Sequence, residues 1–188
     1  MLVLMSLLLV AGGWLGWARW SFPADTVPEG AYLRIVKAVN RGQPEEVFPY
    51  TEEEAQHACY TILDYRKRSI SRAQGSFPPD RLRELERQYG EVARSTDGRE
   101  VFALYAREQG WLDQLRSDLS GIERAEVAGP RATVVTARGT RYAFRRRPNG
   151  IWGLTAFTPT LKDEAEKSAR DWALIEKAAE DYERAAAR

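Results

Sequence analysis

His57 and Cys59 are the chain's one histidine and one cysteine. A thiol and an imidazole make an activated nucleophile only where the two side chains meet. On a helix, a spacing of two residues turns them about 200° apart, so they form no dyad. Cys59 shares a face with Ala55, Ile62, Ile70 and Ala73 and reads as a small core residue, whereas His57 lies with Thr61, Asp64 and Arg68 on the opposite, wet face. His57 and Asp64 are two turns apart, beyond direct coupling. One histidine and one cysteine make no transition-metal cluster, and the carboxylates lack calcium-loop spacing. No catalytic residue, metal or other cofactor is assigned.

Two arginine features remain. Arg66 falls in the middle of the apolar face defined by Cys59, Ile62 and Ile70. A charge there must snorkel or meet an acid, because burying it alone costs several kcal/mol. A structural ion pair is the expectation, with anion binding as the competing reading. Arg131, Arg138, Arg141, Arg145, Arg146 and Arg147 crowd one region, and Arg141, Arg145 and Arg147 are candidate anion contacts for phosphate or a lipid headgroup. Alternation puts Tyr142 and Phe144 on the face away from Arg141 and Arg145, so aromatic stacking on a single strand is not set up. A solvated outer face is expected, and nucleic acid is not an expected partner. The formal net charge of +1 adds no general attraction for polyanions.

The chain opens with "MLVLMSLLLVAGGWLGWARW". From Leu2 to Ala18 it carries no charge, and about 17 residues of helix rise roughly 25 Å against a hydrocarbon core of about 30 Å. Extension through Trp20 closes the difference. Trp14, Trp17 and Trp20 fan around one helix end, where indoles favour the membrane interface, and Arg19 can snorkel beside them. Gly16 and Ala18 also make a small-x-small cleavage pattern. No base precedes the run and bulky tryptophans flank the cut, so a retained single-pass anchor is expected, with cleavage and export as the runner-up. Lipidation is rejected, since glycine stands where the acylated cysteine would be. Gly12 and Gly16 are spaced for close approach of two membrane helices. Arg19, Arg34 and Lys37 after the span favour a cytoplasmic body by the positive-inside rule, but so short a tail before the run is the form of an export signal, and an extracytoplasmic body is expected.

These features need elements to position them. The composition, 44% hydrophobic and 29% charged over 188 residues, suits one domain with an appendage. Pro28 and Glu29 open a helix to about Asn40. Thr51 with Glu54 three residues on has capping-box spacing for a helix to about Ala73. "GSFPPD" breaks it, another helix runs to about Arg94, and after "STDG" a single helix is expected from about Arg99 to Leu119. From Ile122 the pattern changes to short β-branched and aromatic runs separated by Gly129-Pro130, Arg138-Gly139 and Pro148-Asn149-Gly150, which reads as a four-stranded antiparallel meander. At the end, Leu161, Ala165, Ser168, Trp172, Ile175, Ala179, Tyr182 and Ala186 alternate four and three apart. This heptad seam is expected to pack over the chain's own sheet, with Trp172, Ile175 and Tyr182 as the candidate packing or partner face. The fold class is therefore α+β: helices, a four-stranded antiparallel meander and a long C-terminal amphipathic helix, preceded by an N-terminal membrane helix. The expected division is an anchor over 1–20, a linker over 21–28, an α+β domain over 29–160 and the amphipathic helix over 161–188.

"AGPRATVVTARGTRYAFRRRPNGIWGLTAF" resembles the closing hairpins of the nuclear-transport-factor-like (cystatin-like α+β) superfamily, through Gly129, Ala132, Val134, Asn149, Gly150 and Trp152. "PEGAYLRIVKAVNRGQPEEV" is similar to the first helix of its small anchored members. The resemblance covers about residues 28–45 and 122–157, and residues 51–120 depart from it. It implies a curved sheet around a long helix and a pocket, used elsewhere for catalysis, ligand binding or partner contact, so it does not choose a function.

The expected function is that of a non-enzymatic, membrane-anchored binding or assembly component of the cell envelope. Its expected partners are membrane lipid and a protein, a second copy of the chain among the candidates. Two alternatives compete: a pocket enzyme of the superfamily type with a carboxylate or tyrosine near Trp152, and a phosphate- or nucleic-acid-binding module using the Arg131–Arg147 patch.

Overall fold

The computed structural model describes residues 23–187. The expected anchor residues Trp14, Trp17, Arg19 and Trp20 lie outside the described residues. Within them, no helix is long and apolar enough to cross a membrane.

The fold is α+β. Among the described residues, seven helices, α1 (Pro28–Arg41), α2 (Pro44–Val47), α3 (Glu53–Gln74), α4 (Pro79–Arg94), α5 (Gly98–Glu108), α6 (Trp111–Asp118) and α7 (Thr158–Ala186), accompany four strands. A 3-10 turn spans Phe48–Tyr50. The strands β1 (Ile122–Ala128), β2 (Arg131–Thr136), β3 (Arg141–Arg146) and β4 (Trp152–Leu154) pair antiparallel in sequence order. Ala132, Val134, Tyr142 and Phe144 turn inward and are buried, while Arg131, Arg141 and Arg145 turn outward, as a period of two requires.

One apolar core joins both kinds of element. Tyr32, Ile35 and Val39 of α1 meet the inner face of the sheet, together with Cys59 and Ile62 of α3, Phe102 of α5 and Leu161 of α7. Phe102 is the hub, with ring centroids 5.8 Å from Phe48, 5.7 Å from Trp111 and 5.3 Å from Phe157. Burying each such side chain contributes roughly 1.5–3 kcal/mol.

Three sequence expectations are corrected. The single helix over Arg99–Leu119 is two, because Gly110 takes a left-handed conformation at φ 64° and turns the chain between α5 and α6. Thr51 does not cap α3. Its hydroxyl donates instead to the Phe48 carbonyl, its backbone forms a parallel bridge with Leu154, and Glu52 precedes the first helical residue. The heptad seam of α7 packs along α3 rather than over the sheet, burying Leu161, Ala165, Ser168, Ile175 and Ala179. The small residues Ala58, Ser69 and Ala73 of α3 are buried in turn, which lets two long helices approach closely.

Candidate functional site

The inner face of the sheet is occupied by core side chains, so the solvent-facing chemistry gathers on its outer face. A cleft of about 630 Å³ opens there. Thr133, Ala143 and Thr155 give it a floor of small side chains, and the first turns of α7 form one wall. Glu54 and His57 extend it along the start of α3, where they line an adjoining hollow of about 280 Å³.

Gly153 makes this arrangement possible. It pairs with Arg145 in the ladder, and a Cβ on it would stand 2.4 Å from the Thr51 carbonyl oxygen. Lacking one, β4 lets the chain lie directly against it, and the Glu52 N–H donates to the Leu154 carbonyl at 3.0 Å. That contact brings Glu52 and Glu54 beside Arg145, which alternation has already turned outward from Phe144.

A connected charge network results. Arg145 Nη1 lies 2.9 Å from Glu52 Oε1 and 3.0 Å from Glu54 Oε1. Lys162 Nζ donates to Glu54 Oε2 at 3.1 Å. Thr158, at the start of α7, donates its hydroxyl to Glu52 Oε2 at 2.7 Å. Glu52 is only 4% exposed, and at its Oε1 the Arg145 contact is an ion pair without the alignment of a hydrogen bond. The Lys162 hydrogen bond and charge, and then Arg145, hold the Glu54 carboxyl below its ordinary range. Arg131 and Asp163 also line the cleft, and neither has an ion-pair partner among the described residues.

The sequence-predicted residues distribute differently. Arg145 belongs to the network, while Arg141 pairs with Glu126 at 2.7 Å and Arg147 donates to the Pro49 carbonyl at 2.7 Å. All three candidate anion contacts are therefore engaged by internal acceptors. Ile175 is buried in the α3–α7 seam, and Trp172 and Tyr182 are half-buried. Tyr182 meets Phe77 edge-on at 5.1 Å, so this face packs within the chain. His57 is exposed, 4.0 Å from Glu53, at the rim of the cleft. Cys59 is buried, and desolvation pushes its thiol up to about 12. Arg66 pairs with Asp171 at 2.7 Å. Among the described residues, no group of three His, Cys, Asp or Glu side chains is placed to hold a metal ion.

Glu52, Glu54, Thr158 and Lys162 are not singled out by sequence reasoning. Glu52 and Glu54 carry helix-start signals, and nothing local links either to side chains more than a hundred residues away. Comparison of the chain with protein-family models, with curated proteins and with solved structures gives no match.

Proposed function

We propose that the chain is a non-enzymatic binding component of the cell envelope, held at a membrane by residues 1–20 and engaging an extended segment of a protein partner in the outer-face cleft. The observation that carries this reading is the network of Glu52, Arg145, Glu54 and Lys162 above a floor of small side chains. Charges fixed by opposite neighbours suit recognition of a complementary surface, since like charges brought against them are rejected. Arg131 and Asp163 present one uncommitted charge of each sign, which fits a segment carrying an acid and a base. The Trp14, Trp17 and Trp20 belt supports the membrane part. The resemblance to nuclear-transport-factor-like proteins is part of the same proposal, supported by α1 lying against a four-stranded meander. Anion binding is the weaker reading, because a phosphate would have to displace carboxylates from Arg141 and Arg145.

The test uses the full chain in its native cells. A photo-crosslinking residue at Thr133 is expected to join one protein species in the membrane fraction, whereas the same residue at exposed Arg83 of α4 is not. Arg131→Glu with Asp163→Lys should abolish the crosslink without lowering the melting temperature. Equal labelling at both positions, or labelling unaffected by the charge reversals, overturns the cleft reading. Intact-mass analysis of the same fraction tests the anchor, and a soluble protein lacking its first residues overturns it.

A further inference from the structure

The two edges of the sheet differ. The β4 edge is closed by the chain itself: Thr51 bridges to Leu154, and the Trp152 N–H donates to the Asp25 carbonyl at 3.3 Å. The β1 edge is open. Among the described residues, nothing beyond β2 hydrogen-bonds the backbone of Ile122–Ala128, and Val127 is 58% exposed. An open edge is a template for another strand unless its side chains repel one.

We infer that β1 pairs antiparallel with β1 of a second copy, about a two-fold axis at Ala125, joining two sheets into one of eight strands. Charge selects this register. Directly opposed residues across an antiparallel pair have Cβ atoms about 4.5–5.5 Å apart and share a face. An axis at Arg124 sets arginine against arginine, and an axis at Glu126 sets glutamate against glutamate. The axis at Ala125 sets Arg124 of each copy against Glu126 of the other and brings the two Ala125 side chains together. Both charges lie on the outer face, since Arg124 pairs with Val135 and Glu126 with Thr133, whereas Ala125 pairs with inward-facing Val134. Within one copy Glu126 already gathers Arg124 at 3.0 Å and Arg141 at 2.7 Å, so the junction becomes a ladder of alternating charges. The irregularity between Ile122 and Arg124 limits regular pairing in this register to Arg124–Glu126 of each copy, because Val127 and Ala128 fall opposite positions 123 and 122 of the other. This inference is independent of the outer-face cleft.

The experiment is disulfide trapping of the full-length chain in mild detergent. Buried Cys59 is the only native thiol. Ala125→Cys should oxidise to a covalent dimer, because paired strand positions fall within disulfide reach. Ala128→Cys stands about 20 Å from its counterpart in this register and should not. In the Ala125→Cys background, Arg124→Glu and Glu126→Arg should each lower dimer yield about tenfold. Mixing the two variants restores it as a heterodimer, since one copy then carries acids at both positions and the other carries bases at both. Equal trapping at 125 and 128, absence of trapping at 125, or failure of the mixture to recover overturns the pairing.

Discussion

Arg66 is 3% exposed, and its guanidinium donates to Asp171 Oδ2 at 2.7 Å while lying 3.8 Å from the centre of the Tyr89 ring. Tyr89 donates to the same carboxylate oxygen at 3.0 Å. Removing the acid strands a buried charge, so Asp171→Ala should lower unfolding free energy by about 3–5 kcal/mol in urea titrations. An Arg66→Met with Asp171→Leu pair should recover most of that loss, because apolar replacements strand no charge and only the half-buried Tyr89 hydroxyl loses its acceptor. The need for an acid is legible from a charge centred on an apolar stripe, but which acid supplies it is not. Burial gives Cys59 the opposite problem: with its thiol pushed up to about 12, it should resist alkylation in the native state at pH 8 and react at once in denaturant. Glu183, near the end of α7, accepts from Arg72 and from Ser76, and these bonds hold its carboxyl down from 4.5 to about 2. Stabilisation by a depressed carboxyl is present above its ordinary value and is lost as pH falls through the folded one. Glu183→Gln should therefore lower the urea midpoint at pH 6, and the difference should vanish as pH falls from about 4.5 to about 2.

The elements whose local chemistry is self-sufficient are the legible ones. Alternation and glycine-bearing turns locate all four strands, and Gly129, Gly139 and Gly150 do adopt positive φ. Helix caps are harder to read, because capping competes with tertiary partners. Thr51 has the composition of a cap, yet β4 draws its backbone into a bridge. The side-chain cap at this level is Asp97, in a stretch that reads only as a break, which accepts from the Arg99 and Glu100 N–H groups. The partner of α7 escapes sequence reading for a related reason: a heptad seam specifies that a helix packs on something, and α3 offers a longer complementary stripe than three- to seven-residue strands. Most of the cleft follows from one position that no pattern flags. Gly153→Ala would press a Cβ against the Thr51 carbonyl, a backbone contact that cannot rotate aside, and should destabilise by about 1–3 kcal/mol or more. Gly75→Ala, whose Cβ would meet its nearest atom at 3.8 Å with φ at −83°, should be neutral or slightly stabilising. Equal melting temperatures for the two variants would show that β4 and the Thr51–Glu52 segment do not touch as described.

At the scale of the whole molecule, the helical pair α3–α7 and the sheet with α1 form two layers that could in principle melt apart. Phe102 opposes that separation. It stands on α5 with no measurable exposure, and its ring meets Phe48 at the entry to α3, Trp111 of α6 and Phe157 at the turn from β4 into α7. Trp111 stacks on Phe157 at 4.7 Å and closes the ring of contacts. The same apolar cluster draws buried side chains from every helix except α4 and from β2, β3 and β4, so no plane divides the core into two independent halves. Cooperativity then follows from shared burial, since loss of either layer exposes the apolar face of the other. Phe102→Ala removes the hub and should lower stability by about 3–5 kcal/mol. The more searching measurement is coincidence of transitions. Near-ultraviolet circular dichroism reports the aromatic cluster and far-ultraviolet signal reports mostly helix, and the two should melt together in the parent chain. They should still coincide in Phe102→Ala, shifted to lower temperature by the same amount. A far-ultraviolet transition left in place while the aromatic signal collapses early would mean that the α3–α7 pair holds itself together, and that the cluster decorates the junction instead of uniting it.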